Sequence, residues 1–95
     1  MSADNWTKQP SEVLDFYFDF SVWLTSVGET SLESAVVTVA PTGLDLDDSG
    51  IVSSTRVQMW FSGGSNGTAY KVTCVGTTPG GRTKEYENWL VVRDT

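Results

Sequence analysis

Carboxylates and one thiol are the groups in this chain with chemistry to offer, and no histidine accompanies them. Asp15 and Asp19 stand in the stretch LDFYFDFSVWL, from Leu14 to Leu24. In an extended strand they point the same way about 13 Å apart, at roughly 3.3 Å per residue. A retaining glycosidase holds its two carboxyls about 5–5.5 Å apart and an inverting one about 6.5–9.5 Å. The pair suits neither and reads as the solvated side of a strand. The run Asp45-Leu46-Asp47-Asp48-Ser49-Gly50 opens like a calcium-binding EF-hand loop, with oxygen donors alternating ahead of a glycine. The place of the bidentate Glu is taken by Arg56, which has the opposite charge. The run therefore reads as a polar turn, and no metal or other cofactor is implied. Cys74 has no imidazole to activate it and falls in phase with Tyr70 and Val72, so it reads as a buried, inert thiol. Without histidine, Ser-His-Asp catalysis and the usual zinc ligation are excluded. Gly63-Gly64-Ser65-Asn66-Gly67 does not lead into a helix, so it is no phosphate cradle. The expectation is a protein that is not an enzyme.

The elements that must position these groups follow a period of two. Leu14, Phe16, Phe18 and Phe20 share one face of a strand, and Asp15, Tyr17 and Asp19 share the other. Ser34 to Ala40 is β-branched and closed by Pro41-Thr42-Gly43. Val57, Met59 and Phe61 alternate with Gln58 and Trp60; Tyr70, Val72 and Cys74 alternate with Lys71 and Thr73. Ser62 to Gly67 and Thr78 to Gly81 are turn clusters. No helical periodicity is visible. About six or seven short strands separated by turns predict an all-β, immunoglobulin-like sandwich of antiparallel strands without substantial helix. Tyr70 opens the penultimate strand after a glycine-containing corner, as in the tyrosine corner of such sandwiches. The residue two places on, a cysteine in antibody domains, is Val72. Phe16, Phe18, Phe20, Trp23, Tyr70 and Val72 are the expected structural residues. Trp60 is out of phase with its apolar neighbours and expected outward, and Trp89 competes with Leu90 and Val92 for the inward phase. Met1 to Pro10 is polar and reads as a flexible segment carrying Trp6, ahead of one domain from Ser11 to Thr95. The aromatic groups Trp6, Tyr17, Trp60 and Trp89, with Asp15 and Asp19, are the candidate protein interface.

Bulk properties agree with a small binding domain. A mass of 10.4 kDa scales to roughly 5,400 Å² of folded surface against roughly 15,000 Å² unfolded, enough burial for one core. The net charge of −6 disfavours nucleic-acid phosphates and suits a basic protein patch. A lone cysteine fits synthesis in a reducing compartment. MSADNWTKQPSEV has neither the basic nor the apolar region of a signal peptide. No apolar run is long enough to span a membrane. The sequons at Asn5 and Asn66 read as chance, Asn66-Gly67 being a turn.

Lys8-Gln9-Pro10-Ser11-Glu12-Val13-Leu14-Asp15-Phe16, followed by Asp19-Phe20-Ser21-Val22-Trp23-Leu24, resembles the K-D-P-x-x-x-L-D-Y…D-W-S-x-W-L opening of a family of short tailed-phage and prophage virion proteins called fiber–tail adaptors. Val39 to Leu44, Trp60 to Gly64, Gly67 to Thr73 and Gly80 to Thr83 are similar too, so the likeness runs from about Lys8 to Val92. Gln9 stands for the usual Asp, Phe20 for the usual Trp, and Ala40 is an insertion before Pro41. The resemblance implies a virion structural protein of a tailed bacteriophage, made in the host cytoplasm. It would join tail and fiber components by protein–protein contacts, with copies of itself in a symmetric ring. A capsid decoration protein and a carbohydrate-binding module, with Tyr17, Trp60 or Trp89 stacking on sugar, are the alternatives.

Overall fold

Alternating Leu14, Phe16 and Phe18 with Asp15, Tyr17 and Asp19 puts one set against a core and the other in water only if the backbone is extended. A computed structural model, which describes residues 5–94, shows this as the second of seven strands among the described residues. These are β1 (Trp6–Lys8), β2 (Leu14–Asp19), β3 (Ser34–Ala40), β4 (Leu44–Val52), β5 (Arg56–Gly63), β6 (Thr68–Thr77) and β7 (Thr83–Val92). One short helix, α1 (Ser21–Ser26), follows β2. Strands β2-β5-β4 form one sheet and β1-β7-β6-β3 the other. Every pairing is antiparallel except that of β1 with β7. Second, fourth and fifth strands facing third, sixth and seventh is the immunoglobulin-like arrangement, here with the first strand on the edge of the β7 sheet. Phe20, Leu24, Val57, Met59, Phe61, Tyr70, Val72, Cys74, Leu90 and Val92 are buried between the sheets. The accessible surface is 5504 Å², close to the roughly 5,400 Å² expected of this mass.

The tyrosine corner is present. The Tyr70 hydroxyl accepts a hydrogen bond from the Ser65 backbone N–H at 2.9 Å. Gly43, at φ 126°, lies directly beneath it; a Cβ there would meet the hydroxyl at 3.1 Å. Val72 is buried where antibody domains place a disulfide cysteine.

Two expectations need correction, and one element was not foreseen. First, the segment before Ser11 is not wholly outside the sandwich. Trp6, Thr7 and Lys8 pair with Leu90, Val91 and Val92. Trp6 points inward, stacked on Phe16 at 4.8 Å and tilted against Phe18 at 5.0 Å. Lys8 is 2% exposed, and its ammonium donates to the carbonyls of Gly63 (2.6 Å), Gln9 (2.8 Å) and Pro10 (3.3 Å). Those three bonds use all its hydrogens, and burial pushes its pKa below the usual lysine range. Met1 to Asp4 lie outside the described residues. Second, Asp45 to Gly50 is not a turn but the middle of β4, irregular in register between Leu46 and Asp48. Its side chains are strung out at about 3.3 Å per residue instead of curling around an ion. The element not foreseen is the helix over Ser21–Ser26, whose six residues agree with the expected lack of substantial helix. The Asp19 carboxylate accepts from the Ser21 N–H at 2.8 Å and starts the turn. Phe20 and Leu24 are buried beneath it, and Trp23, half-buried, meets Phe20 edge-on at 6.4 Å. Six residues are too few to hold a helix by propensity, so this packing maintains it.

Candidate interaction face

The outer side of the β2-β5-β4 sheet is built by phase. Because Val57, Met59 and Phe61 go inward, Arg56, Gln58 and Trp60 must go outward on the central strand. Opposite them on β2 lie Asp19, Tyr17 and Asp15, residue for residue. On the other flank Asp48, Gly50 and Val52 register with Trp60, Gln58 and Arg56. Trp60 therefore sits between Asp15 and Asp48 and is 39% exposed; Tyr17 is 53% exposed. Gly50 contributes no side chain, so the floor beside Gln58 is low.

Local contacts fix the polar groups. The Gln58 side-chain amide donates to Asp15 at 2.6 Å. The Arg56 guanidinium lies over the Tyr17 ring, 5.1 Å from its centroid. Such a contact contributes about 0.5–1 kcal/mol at an exposed site. The Ser21 N–H, and then the Arg56 charge, hold the Asp19 carboxyl below its ordinary pKa. Asp15, Asp19, Asp45 and Asp48 share this side with one cation, Arg56, among the described residues. The face is an exposed aromatic patch in a negative field.

Four of the expected interface residues, Asp15, Tyr17, Asp19 and Trp60, are thus brought together. Trp89 is not among them. Leu90 and Val92 take the inward phase of β7, which leaves Trp89 45% exposed on the opposite face of the sandwich, beside Lys71. Trp6 is between the sheets and is no part of an outer face. Arg56, Gln58 and Asp48 belong to the patch although the sequence reading did not count them in the interface. Arg56 and Gln58 share the phase of Trp60, a signal already in the alternation; Asp48 is placed by the β4 irregularity, which leaves no such signal.

No group of three or more Cys, Asp or Glu side chains among the described residues is placed to hold a metal ion. Burial pushes the Cys74 thiol up to about 11, so it is protonated at neutral pH. A hollow lined by Thr7, Lys8, Gln9, Glu12 and Arg93 opens at the β1–β2 turn, but the Lys8 ammonium is already committed to carbonyls. No curated protein sequence matches the chain. A family model, Gp77, described as podophage GP4 fiber-tail adaptor protein gp77, matches residues 8–91. That match begins at the buried Lys8 and ends within β7, nearly the whole sandwich, and the chain belongs to this family of phage tail structural proteins.

Proposed function

We propose that the chain joins tail and fiber components of the virion by protein–protein contact, without catalysis, and that a neighbouring virion protein docks on the outer β2-β5-β4 face. The observation that carries this reading is the exposure of Tyr17 and Trp60 together on one sheet face, ringed by Asp15, Asp19 and Asp48. Tyrosine and tryptophan at the centre of an interface commonly supply most of its binding energy. The carboxylates around them favour a partner with a basic rim and disfavour acidic surfaces. A sugar would need the faces of these rings, and one face of Tyr17 is already taken by Arg56, so the protein partner is preferred. Several copies around the tail axis, each presenting one patch to a different patch of its neighbour, suit a ring. Synthesis in the host cytoplasm goes with this role.

The test is complementation of a phage lacking this gene. The Tyr17→Ala/Trp60→Ala chain is expected to fold, because both residues point outward, and to yield particles deficient in fibers by electron microscopy. Normal fibered particles from the folded double variant would refute the placement of the interface. Chain found on capsids and absent from tails would refute the joining role.

A further inference from the structure

Among the described residues each sheet ends in two open edges, and three of the four are guarded. β1 has only three residues. β2 carries Asp15 and Asp19. β4 carries Asp45, Asp47 and Asp48 and an irregular register. Short length, charge and bulges are the usual devices that stop an edge from pairing with another chain. β3 has none of them. Ser34-Ala35-Val36-Val37-Thr38-Val39-Ala40 is uncharged and β-branched. It runs in unbroken register with β6 from Ser34↔Thr77 to Ala40↔Lys71. On its other side every second backbone N–H and C=O faces away from the sheet. Val36 is 63% exposed on the outer face.

We propose that β3 accepts an added strand from another virion protein, and that this strand carries basic side chains. The proposal rests on the reading of the chain as a virion component. The charge follows from what an added strand would run beside. β3 and β4 pack together at the same side of the sandwich, and Asp47, the extra residue at the β4 irregularity, is exposed there. Glu33, also exposed, immediately precedes β3. The nearest cation in register, Lys71, is paired with Glu87 at 3.1 Å. A second copy of this chain would bring its own acidic β4 against the first, so it is the poorer occupant. Backbone pairing supplies the affinity and the acidic flank selects the partner.

Opposite charges at Val36 test this. On a paired strand its Cβ would lie about 4.5–5.5 Å from that of its neighbour on the added strand. Val36→Lys and Val36→Asp are made separately, checked for wild-type melting, and used to complement a phage lacking this gene. The copies of the chain per purified particle are then counted by mass spectrometry. Val36→Lys is expected to lower incorporation by about tenfold or more, and Val36→Asp to leave it unchanged or higher. Loss with both variants would overturn the proposal in favour of pairing between copies. Loss with neither would show that no strand is added there, and loss with Val36→Asp alone would reverse the predicted charge. Wild-type chain missing from particles would sink the virion reading itself, and this proposal with it.

Discussion

Truncating Trp6 asks whether the N-terminal strand belongs to the fold. Its ring is half-buried, parallel to Phe16 at 4.8 Å and against Phe18 at 5.0 Å. Truncating a core Trp to Ala costs about 3–5 kcal/mol. Partial exposure scales this to about 2–3 kcal/mol for Trp6→Ala, with aromatic pair terms of about 0.5–1.5 kcal/mol already inside that range. In a domain of this size each kcal/mol shifts Tm by about 4–8 °C, so the midpoint should fall by about 10–20 °C. Trp60→Ala is the internal control. The same ring is removed from an outward position, where the loss should stay below about 1 kcal/mol. The assay is urea unfolding of both variants followed by far-UV circular dichroism, with thermal melts alongside. A Trp6→Ala loss no larger than that of Trp60→Ala would refute the docking of β1 on the core.

Other consequences are equally concrete. Tyr70→Phe removes the acceptor of the Ser65 N–H and should cost about 1–2 kcal/mol in the same unfolding assay. The Glu29 carboxylate accepts from the Thr78 hydroxyl at 2.7 Å and from Arg82 at 3.0 Å. The Thr78 bond first, and Arg82 after it, hold its pKa below the ordinary 4.5. That stabilisation is fully present above the unfolded value and is lost as pH falls through the lower folded one. Glu29→Gln should therefore flatten the acid side of the Tm–pH profile, and an unchanged slope would contradict the contact. Cys74, raised to about 11 by burial, should react with thiol reagents only at the rate of unfolding; rapid labelling of the native protein would contradict its burial.

Much of the sandwich is legible in the residues because its long strands each keep one face dry. The alternation in β2, β5 and β6 places Phe16, Met59 and Val72 inward, and with them Tyr17 and Trp60 outward. The tyrosine corner is also local, set by Tyr70 and the glycine turn before it. What escapes local reading depends on distant partners. β1 is three residues long and puts a lysine inward. Only the carbonyls of Gln9, Pro10 and Gly63 make that tolerable, and Gly63 is remote in sequence. β4 hides because its register shifts between Leu46 and Asp48, which breaks the period and leaves an aspartate-rich run resembling a turn. α1 hides because Ser21-Val22-Trp23-Leu24 has a composition that suits a strand as well. Trp89 stays ambiguous until Leu90 and Val92 are seen to claim the core.

The joining role is tested most directly by imaging the chain in place. Electron cryomicroscopy of the intact tail, at a resolution that shows side chains, would reveal what covers Tyr17 and Trp60. We predict the chain between tail and fiber proteins, with the outer β2-β5-β4 face buried against a neighbour that brings Lys or Arg to Asp15, Asp19 and Asp48. A chain seated elsewhere on the particle, or one whose aromatic face remains in solvent, would contradict the account.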